Sequence, residues 1–261
     1  MNTLGIIGAG HMGGSLLVGL LKANYVEPSQ VIVSGGTSRK AAALAEELGC
    51  TYTPDNAVVA QNCDTLILGV VPKILPQILS EIKKYITSDH LLISLAASFT
   101  YADFYKILPA DTQIAIGVSN LPVAFNAGIT SIAHNHILTD ENSKKVNKLF
   151  KTVGITTQMN EDKLPASTVI AGCSPAFYAM FVEALADAGV MYGLTRSEAY
   201  LLAKQAALGS AQMLLQGNIP PAALKDNVAS PGGMTIKGIA ALEEHGLRNA
   251  VIQAVRKAKG D

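Results

Sequence analysis

Leu4-Gly5-Ile6-Ile7-Gly8-Ala9-Gly10-His11-Met12-Gly13 decides the fold. The apolar run at its start reads as a buried strand, and the GxGxxG pattern after it reads as a turn opening a helix. Each glycine has its own reason to be there. Gly8 permits the tight turn, Gly10 lets the backbone approach a pyrophosphate, and Gly13 lets the helix pack closely on the sheet. Free amides at the positive helix end, around His11 and Met12, then hold the phosphates. GxGxxG alone is a weak pattern, and an ordinary tight β-α turn is the alternative. Its place between a strand and a helix gives it weight.

Outward from this turn, the apolar runs Val31–Val33, Thr65–Val70 and Leu91–Leu95 alternate with helical patterns, and Gln113–Ile116 and Ile129–Ala133 extend the series. Such alternation packs as a parallel sheet with helices on both faces, which is α/β with a doubly wound sheet. A helix over Asp140–Lys151, capped by Thr139 and stopped by Gly154, leads to a strand near Ile155. Beyond Asn160 the period lengthens to that of helices: Pro175–Met191, Thr195–Leu215, Pro220–Asn227, Gly232–His245 and Leu247–Lys259. The expected division is therefore a Rossmann-type dinucleotide-binding domain over 1–160 and an all-helical domain over 161–261.

The second strand ends in Ser34-Gly35-Gly36-Thr37-Ser38-Arg39. Dinucleotide sites that take NADH usually carry an acid here to receive ribose hydroxyls. With no acid, and with Ser34, Thr37, Ser38 and Arg39 able to donate, NADPH is favoured and NADH stays open. The plainer reading is a polar loop with Arg39 in solvent. Leu68-Gly69-Val70-Val71-Pro72-Lys73 and Ser94-Leu95-Ala96-Ala97-Ser98 place small residues and turns at strand exits, where a coenzyme lies across such sheets.

In the helical half, Ala171-Gly172-Cys173-Ser174-Pro175-Ala176 and Val228-Ala229-Ser230-Pro231-Gly232-Gly233-Met234-Thr235 each precede a helix. Small residues and exposed amides there suit a carboxylate, and equally suit simple capping. Cys173 reads as a helix-entry residue, because nothing nearby in sequence would activate it as a nucleophile.

Composition narrows the classes. Twenty Lys plus Arg balance twenty Asp plus Glu, which argues against a nucleic-acid binder. Cys50, Cys63 and Cys173 are too scattered for a disulfide framework or zinc site, and His134 and His136 have no third ligand nearby, so no metal is expected. Hydrophobic residues make up 49% and charged residues 15%, which suggests surface hidden in an oligomer. With neither a leader nor a membrane segment in evidence at Met1-Asn2-Thr3, a cytoplasmic protein is expected.

The run Asp226-Asn227-Val228-Ala229-Ser230-Pro231-Gly232-Gly233-Met234-Thr235-Ile236-Lys237-Gly238 resembles, almost throughout, the most specific segment of the pyrroline-5-carboxylate reductase family. Gly172, Pro175-Ala176-Phe177-Tyr178, Glu183-Ala184-Leu185 and Asp187-Ala188-Gly189-Val190 resemble the opening of that family's long dimer-forming helix. The resemblance implies NADPH-preferring reduction of Δ1-pyrroline-5-carboxylate to L-proline. It implies a C-terminal dimerisation domain in a homodimer, with decamers as a further assembly. It places the coenzyme along Gly8, Gly10, His11, Met12 and Gly13, near Ser34 and Arg39, beside Asn56, and across Val70, Pro72, Ala96 and Ala97. It places a small cyclic imine carboxylate at Asn120, Cys173, Ser174, Ser230, Gly232, Gly233 and Thr235, with the Thr235 hydroxyl near the ring nitrogen as the catalytic group.

The match has departures. Val71-Pro72 stands where the family has Lys-Pro, Ile116-Gly117-Val118-Ser119-Asn120-Leu121-Pro122 keeps only the Asn and last Pro of an Arg-x-Met-Pro-Asn-Thr-Pro segment, Pro165 replaces an Asp, and Cys173-Ser174 replaces Ser-Gly. A divergent paralogue of the late-competence type, a reductase of another small imine, and a non-catalytic dinucleotide-binding regulator are the alternatives these changes leave open.

Overall fold

The computed structural model describes residues 3–36 and 38–260. Its elements run β1 (Leu4–Ile7), α1 (His11–Lys22), β2 (Val31–Ser34), α2 (Lys40–Leu48), β3 (Thr51–Tyr52), α3 (Asn56–Asn62), β4 (Thr65–Leu68), α4 (Leu75–Ile82), β5 (Leu91–Ser94) and α5 (Tyr101–Tyr105). They continue with β6 (Gln113–Ser119), β7 (Gly128–Ala133), α6 (Asp140–Thr152), β8 (Gly154–Met159) and α7 (Leu164–Ser167). Then come α8 (Ser174–Met191), α9 (Arg196–Gln216), α10 (Pro221–Val228), α11 (Met234–Glu244) and α12 (Leu247–Lys259).

The strands form one sheet in the order β3-β2-β1-β4-β5-β6-β7-β8. The run β3-β2-β1-β4-β5-β6 is parallel and has the doubly wound order, with its switch point between β1 and β4. Strand parity fixes which face each side chain serves. Ile6, Ile67 and Ile93 join Leu16, Leu17 and Leu20 of α1 and Leu149 and Phe150 of α6 on one face. Ile7, Leu66, Leu68 and Leu92 join Leu75 and Leu79 of α4 and Phe104 of α5 on the other. Strands buried on both faces must be apolar at every position, which is why these runs read as continuous rather than alternating.

Three features differ from the sequence reading. β3 is an edge strand of two exposed residues, too short to leave a pattern. β7 runs antiparallel to β6, because the loop between Ser119 and Gly128 is too short for a crossover; α6 then supplies the crossover that returns β8 parallel to β7. The first compact unit also runs past the expected boundary at 160 and ends at Gly172. Side chains beyond 160 belong to its core: Leu164 is buried in the same cluster as Leu66, Leu68 and Leu92, Glu161 Oε1 accepts from the Tyr101 amide at 2.6 Å, and the Ser167 and Ser131 hydroxyls lie 2.5 Å apart.

The second unit is all helical over its described residues, 173–260. α8 and α9 pack through small residues, with Ala186, Ala199 and Ala203 buried, and a Cβ on Gly189 would stand 3.1 Å from that of Ala199. Thr195 and Glu198 form a reciprocal capping box that starts α9. Most of the large apolar residues stay exposed, Tyr178, Met180 and Leu202 among them. The helical run Glu161–Met191 contains an 18-residue stretch with a mean hydropathy of 1.6, enough to cross a membrane by length and composition alone.

Candidate active site

Ile7 hands the chain to Gly8, whose φ of +94° only glycine adopts without strain. The Gly8 amide donates to the carbonyl of Ser34 at 3.0 Å, tying the turn to the end of β2. Gly10 is the N-cap of α1, and the helix start carries neither a side-chain cap nor an acid in its first turn. Its amides and dipole therefore remain for an external anion. A Cβ on Gly10 would meet no atom within 4 Å, so the space above the turn is open to a ligand. These residues fit the pyrophosphate of a dinucleotide. His11 is exposed at the helix start, whereas Met12 packs into the core and offers the site its backbone.

A cleft of about 430 Å³ adjoins this turn at the carboxyl ends of the strands, and Gly8, Gly36, Arg39, Asn56 and Val70 line it. Arg39 holds a left-handed φ of 55° as the N-cap of α2, which fixes where its side chain leaves the loop. Thr37 lies outside the described residues. Ser34 is fully buried: its carbonyl accepts from the glycine turn and its hydroxyl donates to Asn56 Oδ1 at 2.7 Å. Val70 and Pro72 follow β4, and Ala96 and Ala97 follow its neighbour β5, so all four sit at adjacent strand exits. A larger cavity, about 560 Å³, opens at the amino ends of β1 and β4 beside Lys144 and Lys148. It lies at the amino ends of the strands, opposite the end where ligands of this fold bind.

Asn120 is buried at the start of the β6–β7 loop. Its Nδ2 donates to the Ala171 carbonyl at 3.1 Å and its Oδ1 accepts from the Ile129 amide at 3.0 Å. The side chain thus ties the hairpin to a π-helical turn over Thr168–Cys173.

In the helical unit, Cys173 and Ser174 stand half-buried at the entry to α8. The loop Ser230–Thr235 is shaped by two glycines. Gly232 has φ +69°, and a Cβ on Gly233 would fall 2.3 Å from Ser230 Oγ. The Gly233 amide donates to the Ser230 carbonyl at 3.1 Å. α11 begins directly after, again with no side-chain cap and no acid in its first turn, and Thr235 is exposed on that turn. An uncapped helix start of this kind suits a carboxylate.

A family model described as pyrroline-5-carboxylate reductase dimerisation matches residues 161–260. A second, described as NADP oxidoreductase coenzyme F420-dependent, matches residues 3–98. The pyrroline-5-carboxylate reductase of Escherichia coli K12 is 39% identical over 97% of this chain and 94% of its own. This chain belongs to the pyrroline-5-carboxylate reductase family. The Methanosarcina acetivorans reductase is 37% identical over 98% of this chain and 96% of its own. The Plasmodium falciparum pyrroline carboxylate reductase, solved with NADP bound, superposes with a TM-score of 0.89 at 30% identity, covering 99% of this chain and 95% of that one.

As a member of this reductase family, the chain carries site features that its sequence did not reveal. Glu81 and Gln77, both on α4, reach the same cleft as Arg39. Gly69 touches the glycine turn from the end of β4. Alternation of strands and helices gives no hint of which side chain on α4 turns toward β2; only the sheet order brings them together. Cys63, by contrast, is removed from any chemistry: burial and the neighbouring Asp64 push its thiol up to about 11.

Proposed function

We propose that this chain reduces Δ1-pyrroline-5-carboxylate to L-proline with NADP(H), in a homodimer formed through its helical unit. The observation that carries the reading is the Ser230–Thr235 loop with its uncapped, acid-free helix start, in a chain whose relatives of matching length are reductases of this imine.

The reaction adds a hydride to the imine carbon and a proton to the ring nitrogen. The coenzyme, when bound, supplies the hydride; the protein supplies position. The turn Gly8–Gly13 holds the pyrophosphate, with Arg39 toward the adenosine end and Val70, Pro72, Ala96 and Ala97 beneath the rest. Amides at Gly232 and Gly233, with Ser230, hold the substrate carboxylate. Thr235 hydrogen-bonds the ring nitrogen and orients it. A hydroxyl is too weak an acid to drive protonation, so its contribution is alignment. Preference for NADPH is the finer part of the proposal, supported by Arg39 in the cleft.

A related cyclic imine is the second reading. Val71, 63% exposed after β4, stands where the family resemblance expects a lysine, and less positive charge there weakens the hold on an anionic substrate.

The helical run 161–191 falls within the segment matched by the dimerisation model, which supports a protein–protein role for its apolar surface in place of a membrane one. Decamer assembly is a further proposal of the same kind. Three free thiols suit a reducing, cytoplasmic setting.

The test follows absorbance at 340 nm as purified protein meets pyrroline-5-carboxylate with NADPH or NADH, with proline identified as product. Turnover that falls by about a hundredfold in Thr235→Ala supports the assignment. Tight coenzyme binding without turnover of this imine sinks the named substrate.

A further inference from the structure

Asn56, the first residue of α3, bridges two neighbours. Its Nδ2 donates to Glu81 Oε2 at 2.8 Å, and its Oδ1 accepts from Ser34 Oγ at 2.7 Å. The second Glu81 oxygen accepts from Gln77 Nε2 at 2.9 Å. Glu81 sets every direction in this relay. A carboxylate only accepts, so it must receive an Asn56 N–H; that turns the Asn56 carbonyl toward Ser34, and the Ser34 hydroxyl must donate. The single hydroxyl hydrogen of Ser34 is thereby committed within the protein.

NADPH and NADH differ at one ribose position. A 2′-phosphate is an acceptor with negative charge; a 2′-hydroxyl is neutral and can donate. A cleft that prefers the phosphate presents free donors and positive charge, as Arg39 does here. Glu81 works against both. It takes one N–H of Asn56, turns the Asn56 carbonyl away toward the buried Ser34, and adds negative charge to the cleft that Arg39 lines. The end of β2 carries no acid, and the acid of this cleft comes instead from α4.

We infer that Glu81 is a coenzyme-selectivity residue, which restrains the preference for NADPH over NADH by holding Asn56 and Ser34 in one hydrogen-bonded arrangement and by its charge. The inference rests on the reading of this cleft as the NADP(H) site. Its action on the ribose passes partly through Asn56, so Glu81 is a positioning residue as well as a source of field.

The experiment measures kcat/KM for each coenzyme, and each dissociation constant by fluorescence titration, on the full-length protein and its Glu81→Gln, Glu81→Ala and Gln77→Ala variants. Glu81→Gln is expected to raise the NADPH-to-NADH ratio of kcat/KM by about three- to tenfold, the size of one charge interaction across a solvated cleft. Added salt should shrink that gain. Gln77→Ala keeps the carboxylate and is expected to move the ratio less. An unchanged ratio, a shift toward NADH, or an equal loss for both coenzymes in the Glu81 variants overturns the inference while the coenzyme reading stands. Gln77→Ala matching Glu81→Gln also overturns it, because the charge would then not be the cause. Wild-type protein that binds neither coenzyme overturns both.

Discussion

The carbonyl oxygen of Gly8 faces Gly69 so closely that a Cβ on Gly69 would stand 2.5 Å from it. A Cβ on Gly13 would stand 2.3 Å from the same oxygen. Two strands and a helix therefore converge on one backbone atom at the switch point of the sheet, and all three contributors are glycine. Gly69→Ala must push β4 and the turn apart. Overpacking of this kind costs about 1–3 kcal/mol, so a thermal melt should show several degrees of loss, and the coenzyme dissociation constant should rise at least about tenfold as the turn shifts. An unchanged melt with unchanged binding would show that the backbone there is softer than the contact implies.

Gly10→Ala separates binding from packing. Its Cβ would meet no protein atom, and the residue caps α1 with φ −78°, which alanine adopts freely. Stability should stay within about 0.5 kcal/mol of wild type, whereas a methyl group in the pyrophosphate's place should weaken coenzyme binding by about tenfold or more. Paired melts and titrations check this, and a variant that melts early would mean that Gly10 serves the fold and not the ligand.

The contrast between these glycines shows what the sequence could and could not disclose. Gly8, Gly10 and Gly13 are legible because their reasons are local: a strand, a turn and a helix meet within ten residues. Gly69 has the same importance and no local reason, since its partner lies across a parallel strand pair far away in the chain. Ser34 was expected to donate to the coenzyme, but it is fully buried and spends its hydroxyl on Asn56. Whether a side chain at a strand end faces ligand or protein depends on what packs against it, here Asn56 and Glu81, and no pattern of periodicity encodes that. The helical half shows the converse. Its loop Ser230–Thr235 was legible as a run of residues, while the exposure of Met234 at 91% and of its helix start emerges only from the fold.

Tyr101 links three elements and sets an alkaline limit on stability. Its hydroxyl accepts from the Ile116 amide and donates to the Ala133 carbonyl, both at 3.2 Å. Burial pushes its phenol well above the usual tyrosine range. The folded state therefore keeps this proton after the unfolded chain begins to lose it, near pH 10. Stability from this group is complete below that value and declines as pH climbs beyond it. Tyr101→Phe should cost about 1–3 kcal/mol at neutral pH, from the two lost hydrogen bonds, and should flatten the decline above about pH 10. Urea unfolding of both proteins at the two pH values checks the sign; an equally steep decline in the variant would assign the alkaline loss to other groups.

The helical unit makes the last prediction by what it leaves uncovered. Among the described residues, only small side chains, Ala186, Ala199 and Ala203, are buried there, while Phe181 and Leu185 of α8 are 44% and 45% exposed. A unit with so much apolar surface left on α8 is expected to gain stability from a second copy that covers it. Melting temperature should then rise with protein concentration, and sedimentation should show at least a dimer at micromolar levels. Leu185→Asp places a charge in that face and should shift the protein toward monomer with a lower melting temperature. A wild-type monomer whose melting ignores concentration would remove the dimer, and would leave the apolar run 161–191 in need of another partner.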